Sequence, residues 1–267
     1  KVRIRRFVIF GKSFTVKFKP VFLLSISLYL VFNSFAQADN EIQVYASPTI
    51  TAKRTIAELH NNYTFYGPKV LADTKSARWV NHTLEITHGV RRNFEIGFYT
   101  FVALSPDGKY QYLGNQIRPR VTAPASWQLP FGTSLSAEFG RFRNNIFIPF
   151  YWQGEIRPII DKTFGNVYAS FNPNIAFVVT GPEKHWGFTP QFKGQYNLKQ
   201  KAGLGFEYYT DLGNFNSFLP LKQQEHLLGP MFDLLAYPQW ELQTGFLFGL
   251  TSNSNQSIFK LLVGRRF

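Results

Sequence analysis

Acidic and basic residues of this chain recur in one setting, a charged position flanked by apolar ones two residues apart. Glu85, Glu95, Arg118, Arg120, Glu138, Glu155, Arg157, Asp161, Lys193, Glu207, Asp233, Glu241 and Lys260 all lie in stretches of this kind. A period of two puts the charges on one face of a strand and their apolar neighbours on the other. Charges gathered on a shared face must be paired or hydrated. Two readings follow and both stay open at this point: a salt-bridge lattice that holds a barrel shut, or a charged constriction that tunes the passage of solutes. The phrase Gln116-Ile117-Arg118-Pro119-Arg120 nearly repeats in Glu155-Ile156-Arg157-Pro158-Ile159. Proline has no N–H for a sheet ladder, so its recurrence beside Arg predicts a bulge or strand end near one rim.

Catalytic arrangements are weaker. His82 and His88 lie six residues apart on one strand, roughly 20 Å, and cannot share a metal. His60, His185 and His226 have no partner at ligand spacing and read as lone rim histidines. Glu85 and Glu95 are offset by four residues across a hairpin, about 13 Å, too far for a retaining glycosidase pair. There is no Gly-x-Ser-x-Gly elbow and no Walker loop. The residues therefore predict no enzyme, no cofactor and no metal site.

Strands must carry these charges, and the composition agrees. Aromatic residues form 18% of the chain and charged residues only 17%, with a mean hydropathy of −0.15. That is too polar for a helical membrane protein and too aromatic for an ordinary soluble domain. Strands with one apolar and one polar face average to such a value. A secreted β-sandwich is the alternative on composition alone. The formal charge of +13 points to nucleic acid only until it is located. Lys1, Arg3, Arg5, Arg6, Lys12, Lys17 and Lys19 stand in the first 36 residues without an acid among them, and the remainder of the chain carries +6. Its bases are dispersed, so no nucleic-acid partner is expected. Cys is absent, which excludes a disulfide framework and a thiolate metal site.

The basic start is followed by an apolar run, 21–35, and by Ala36-Gln37-Ala38, the layout of a cleavable signal peptide. An uncleaved anchor is the alternative, but the run falls short of the roughly 20 apolar residues needed to span a bilayer. Beyond residue 40, alternation predicts strands near 54–66, 79–90, 94–104, 110–123, 131–142, 150–161, 166–179, 185–197, 202–212, 226–236, 239–251 and 257–267. The connections at one end (67–78, 105–109, 143–149, 180–184, 213–225, 252–256) include the two longest. Those at the other (91–93, 124–130, 162–165, 198–201, 237–238) are mostly tight. This is the asymmetry of outer-membrane barrels with long outer loops and periplasmic turns. Tyr63, Phe65, Tyr66, Trp79, Tyr110, Tyr112, Trp127, Tyr151, Trp152, Trp186, Tyr237 and Trp240 flank strands as interfacial girdles do. Lys69, Lys75 and Arg78 in the first outer loop read as solvated loop charge, with contact to lipopolysaccharide phosphates as the alternative.

The last strand, Ser257 to Phe267, ends on an aromatic residue and resembles the sorting signal that barrel-assembly machinery reads. Glu41-Ile-Gln-Val-Tyr45, Leu84-Glu-Ile-Thr-His-Gly89, Gln116-Ile-Arg-Pro-Arg120, Ser134-Leu-Ser-Ala-Glu138, Glu155-Ile-Arg-Pro-Ile159, Gly205-Phe-Glu-Tyr-Tyr209 and Gly264-Arg-Arg-Phe267 together make the chain similar to a family of bacterial outer-membrane proteins. More loosely it resembles the barrels grouped with the meta-pathway of phenol degradation, which are proposed to handle aromatic or hydrophobic compounds. Arg265 departs from the usual apolar position two residues before the terminal Phe267.

The expectation is an all-β protein, a transmembrane up-and-down antiparallel β-barrel of about twelve strands in the bacterial outer membrane. Residues 1–36 form the signal peptide, 37–53 a periplasmic N-terminal segment and 54–267 the barrel. It would act as a pore or transporter for small solutes, with outer-membrane lipid and lipopolysaccharide as its surroundings. The alternatives are a closed structural or surface-binding barrel and, third, a soluble secreted β-protein.

Overall fold

A polypeptide can cross lipid with strands only if the sheet closes, since an open edge would leave N–H and C=O groups unpaired in hydrocarbon. In the computed structural model the strands close in this way. The structure describes residues 40–69, 77–143, 149–181 and 186–267; the expected signal peptide, His185 and Lys75 lie outside them. The strands are β1 (Thr55–Tyr66), β2 (Val80–Arg91), β3 (Phe94–Leu104), β4 (Tyr110–Thr122), β5 (Gly132–Phe142), β6 (Tyr151–Phe164), β7 (Val167–Asn172), β8 (Ile175–Val178), β9 (Trp186–Phe188), β10 (Gln191–Leu198), β11 (Ala202–Asp211), β12 (Gly213–Asn214), β13 (Ser217–Phe218), β14 (Glu225–Leu234), β15 (Trp240–Gly249) and β16 (Ser257–Arg266). Every pairing is antiparallel. β16 returns to β1, with Ile56 opposite Arg266 and Thr64 opposite Ile258, and β6 pairs with β7 to complete the ring. The result is a closed twelve-stranded barrel. Among the described residues the only helical turns are short 3-10 pieces at Ala125–Trp127 and Leu221–Gln223.

Sixteen labelled pieces make twelve crossings because two crossings are interrupted and one carries a small extension. The stretches expected as single strands over 166–179 and 185–197 break at Pro173 and Pro190, which sit side by side. Asn174 N–H bonds back to the Asn172 carbonyl and Thr189 N–H to that of Asn174. Register is the same on both sides of each break: β8 pairs with the upper part of β6 and β7 with the lower. β12 and β13 form a hairpin that extends β11 above the ring.

Pro119 and Pro158 behave differently from the expectation. Neither ends a strand or forms a bulge. Pro119 stays opposite Ile96 of β3 and Pro158 opposite Leu135 of β5. The ladder is lost only on the other side, where β4 and β5 skip from Ile117–Phe139 to Arg120–Ser136 and β6 lacks partners between Ile156 and Ile160. Each strand residue bonds to one neighbour only, so a missing N–H opens the ladder on that side and leaves the other intact. The bulges lie elsewhere, at Gly89/Arg91, at Phe101/Val102 and at Thr64/Tyr66.

Alternation sorts the two faces. Leu84, Ile86, Phe98, Leu135, Phe139, Leu204, Phe206, Phe246 and Phe248 are exposed on the outside, while the residues between them are buried. An apolar exterior round a closed ring is the surface that lipid covers. Tyr110, Trp127, Tyr237 and Trp240 are exposed near strand ends, where amphipathic rings suit the headgroup layer. Arg265, the departure in the terminal phrase, lies 5.2 Å from the Trp240 ring centre and 5.4 Å from that of Phe267. Phe267 itself is exposed and exchanges backbone hydrogen bonds with Thr55.

The exterior assignment is testable. Phe98 is 59% exposed near the middle of β3. Phe98→Arg should destabilise the barrel by about 2–4 kcal/mol in lipid vesicles, read from urea unfolding, and a cost near zero would mean that this face does not contact hydrocarbon.

Candidate functional site

Twelve strands about 4.8 Å apart and tilted about 40° enclose a backbone ring about 24 Å across. Sheets pack at about 10 Å, so one further layer of chain fits between opposite walls. Residues 40–50 supply that layer. The sequence reading set 37–53 apart as a periplasmic segment; in the structure Asn40, Glu41, Ile42, Gln43, Val44, Tyr45 and Ser47 are buried inside the barrel. The segment forms no strand ladder, so its backbone polar groups need side-chain partners. The wall provides them. Asn172 accepts from Tyr45 N at 2.8 Å and donates to its carbonyl at 3.1 Å, which Ser170 also reaches. Arg120 donates to the carbonyls of Ala46 and Pro48, Thr122 to that of Ser47, and Asn62 and Thr83 to that of Asn40. Asp161 takes the N–H and hydroxyl of Ser47, and Glu95 the N–H of Ile50.

Two glycines make room for this seat. A Cβ at Gly89 would overlap the Ile50 and Thr51 carbonyl oxygens, and one at Gly132 would overlap Asp161 and the Ser47 hydroxyl. Ile42 and Val44 pack into an apolar cluster with Leu227, Met231, Leu247 and Ile258. The segment thus binds one wall by burial and another by hydrogen bonds and charge.

The charged wall centres on Arg118, whose side chain is 2% exposed. Its guanidinium donates to Glu85 at 2.5 Å, Glu95 at 3.0 Å, Thr87 at 3.0 Å and the Tyr99 hydroxyl at 2.5 Å. Glu85 and Glu95 are therefore bridged by one cation, closer than their backbone offset suggested, because both side chains converge on the barrel interior. Arg120 pairs with Glu95 at 2.7 Å. Arg157 pairs with Glu155 at 2.5 Å and stands 3.6 Å from Glu138 and 3.8 Å from Glu41. The Tyr45 ring lies among all three arginines, 4.5 Å from Arg157, 5.0 Å from Arg118 and 5.5 Å from Arg120. Its hydroxyl donates to Glu41 and meets the Tyr99 hydroxyl at 2.8 Å. Cations over an aromatic face attract its quadrupole, more strongly where water is excluded.

Above this layer Tyr99 stacks on Phe101 (5.9 Å between centres), Phe101 meets Phe142 edge-on at 5.3 Å, and Phe142 meets Tyr151 at 6.4 Å. Tyr151, read from the sequence as part of an outer girdle, faces inward in this stack. A second charged group stands on the other wall. Lys193 pairs with Asp233 at 2.6 Å and Glu207 at 3.4 Å, Lys260 pairs with Glu207 at 2.7 Å, and Gln243 donates to Asp233 at 2.7 Å. Glu241 is at the lower rim, half-buried against Arg266 at 2.6 Å. Beside it a cavity of about 380 Å³ is lined by Gln43, Tyr168, Lys193, Asp233 and Trp240.

Several residues of this interior were missed from sequence: Glu41, Tyr45, Glu58, His60, Tyr99, Ser170 and Asn172. Alternation in β1 could have found two, since Glu58, His60, Asn62 and Thr64 share its buried face. His60 is no rim residue but 1% exposed beside Glu85. The cause is register: Glu58 lies directly opposite Glu85 on β2. His82 and His88 lie on the outward face, bonded to Asn61 and Thr55, and His226 is bonded to Tyr208 and Gln224.

Removing Arg118 should leave buried Glu85 and Glu95 without their shared partner. Arg118→Met is expected to cost about 3–5 kcal/mol, and Arg118→Lys to recover only part of it because an ammonium lacks the planar fork. Chemical unfolding in detergent reads both; equal stability of Arg118→Met and the unaltered barrel would remove the network as a source of stability.

No protein-family model and no curated protein matches the chain. Solved structures do. An outer membrane channel from Pseudomonas putida F1 superposes with a TM-score of 0.58 at 11% identity, covering 85% of this chain and 100% of that one. The translocator domain of the autotransporter NalP from Neisseria meningitidis gives a TM-score of 0.44 at 10% identity, over 82% of this chain and 89% of that one. The first likeness establishes the fold, which is that of a bacterial outer-membrane β-barrel.

Proposed function

We propose that this barrel is a pore for small solutes in which residues 40–50 act as the gate. One observation carries the reading. The segment that fills the interior at the Arg118, Arg157 and Glu138 layer belongs to no strand, so it can leave without breaking the ladder that holds the ring. The polar part of its seat is made of side-chain hydrogen bonds to Asn172, Ser170, Arg120, Thr122 and Asp161, each of which water can replace, so leaving costs chiefly the burial of Ile42 and Val44.

The solutes proposed are small aromatic compounds, and phenolic ones in particular. With the segment displaced, the place of the Tyr45 ring would be a slot among three guanidiniums with the Tyr99 hydroxyl at its end. The stack of Tyr99, Phe101, Phe142 and Tyr151 would offer aromatic faces along the upper part of the path. A ring bearing a hydroxyl or carboxylate suits both.

Close packing of the same interior favours a second reading, a permanently closed structural barrel. Planar-bilayer recordings separate the two. The full chain should be mostly closed, deletion of residues 40–50 should give a steady conductance, and Gly89→Val, which crowds Ile50 and Thr51, should open more often than the unaltered barrel. A deletion variant that migrates on gels as a folded, heat-modifiable barrel yet conducts no better would establish the closed reading instead. In liposomes holding the deletion variant, 4-hydroxybenzoate should enter faster than a neutral sugar of similar size, and Arg157→Gln should narrow that difference.

A further inference from the structure

Glu58 and His60 are two residues apart on β1 and so point into the barrel together, and Glu85 stands directly across from Glu58 on β2. One ligand atom from each of the three lies within 4.8 Å of the others, and all three residues are buried. Like charges directly opposite on neighbouring strands repel. In this pair no guanidinium separates the two acids, because Arg118 holds Glu85 by Oε1, which Thr87 also reaches. The other oxygen, Oε2, is left towards His60 Nε2 at 3.5 Å, with the Tyr45 hydroxyl at 3.3 Å. Neither ring nitrogen of His60 has a hydrogen-bond partner among the described residues, although the side chain is 1% exposed. A buried imidazole that makes no hydrogen bond among the described residues, and has only the long ion-pair contact to Glu85, is costly unless a ligand completes it.

We propose that Glu58, His60 and Glu85 form a binding site for one divalent first-row transition-metal cation, of the Zn²⁺ type. Metal–ligand bonds of about 2.0–2.2 Å round a tetrahedral centre set ligand atoms about 3.3–3.6 Å apart. The edge from His60 Nε2 to Glu85 Oε2 already has that length, and the remaining edges need the Glu58 carboxylate to swing inward. One imidazole with two carboxylates is a donor set for such ions rather than for calcium, which takes oxygen alone. Arg118 and Thr87 fix the Glu85 carboxylate by its distal oxygen, the orienting role that partners of metal ligands play. Charge favours a cation here as well. On this side of the interior the buried acids Glu41, Glu58, Glu85, Glu95, Glu138 and Glu155 outnumber the buried guanidiniums of Arg118, Arg120 and Arg157; Arg266 at the rim adds a cation near Glu58 but is itself paired with the neighbouring Glu241. The site goes beyond pore function and does not depend on whether the barrel conducts.

The full chain, refolded into detergent micelles with Zn²⁺ present and then freed of excess metal, should retain one equivalent by elemental analysis. X-ray absorption on that sample should show a single imidazole in an otherwise oxygen shell. His60→Gln and Glu58→Gln should each weaken retention at least about tenfold, while His82→Ala and His88→Ala on the outer face should leave it unaltered. Heat-modifiable gel migration checks that each variant is folded. Retention below one equivalent by the unaltered folded barrel, an absorption spectrum without imidazole, or equal retention by folded His60→Gln would each overturn the site and leave His60 as an ion-pair partner of Glu85.

Discussion

Lipid offers a backbone no hydrogen bonds, and from that one constraint most of this structure follows. The ring must close, every crossing must be a strand, and the period of two then divides each crossing between hydrocarbon and interior. Closure through β1 and β16 joins residues some two hundred positions apart, so the ring is a tertiary achievement throughout. Even prolines obey the constraint. Pro119 and Pro158 open the ladder on one side only, and Pro173 and Pro190 interrupt adjacent crossings at the same level without changing register. The ring stays closed round each defect.

The division of faces creates a second problem. Apolar exteriors are stabilised by lipid, but the inward half of a narrow barrel holds acids and bases too close-packed for bulk water. Pairing solves part of it, through Arg118 with Glu85 and Glu95, and through Lys260 with Glu207. A segment from outside the sheet solves more. Residues 40–50 bring carbonyls to Arg120 and Thr122, an amide to Asp161, and a ring to three guanidiniums. Their Ile42 and Val44 cover one of two apolar clusters of the described interior, the other being the stack of Tyr99, Phe101, Phe142 and Tyr151. The filler and its container are complementary in both polarity and charge, which is why so few of its own backbone groups need each other.

Register decides which charges meet. Glu58 faces Glu85 across one hairpin while Arg118 reaches Glu85 from two strands away. A slip of one residue in any of these pairings would move the acids to lipid, so the exterior, through its need to be apolar, positions the interior chemistry.

How much of this was legible follows from the range of each effect. Alternation is a local property, and it was enough to locate the twelve crossings, the outward Leu84, Ile86 and Phe98, and the barrel class. The splitting at Pro173 and Pro190 was missed because a strand with a proline reads the same whether or not its neighbour supplies a bond. The place of Glu41 and Tyr45 was not legible: the alternation of Glu41-Ile42-Gln43-Val44 is too short to tell an interior segment from a loop, and its partners, from Asn62 to Asn172, are distant in sequence. For the same reason His60 read as solitary, since Glu85 becomes its neighbour only when β1 pairs with β2. Along the crossings the sequence by itself determined most of which residues face out and which face in, because that depends on neighbours two positions apart, with Tyr151 and His60 as exceptions. Only the tertiary structure decided which inward residues touch and what fills the space between them, because closing a ring brings together residues that no local pattern relates.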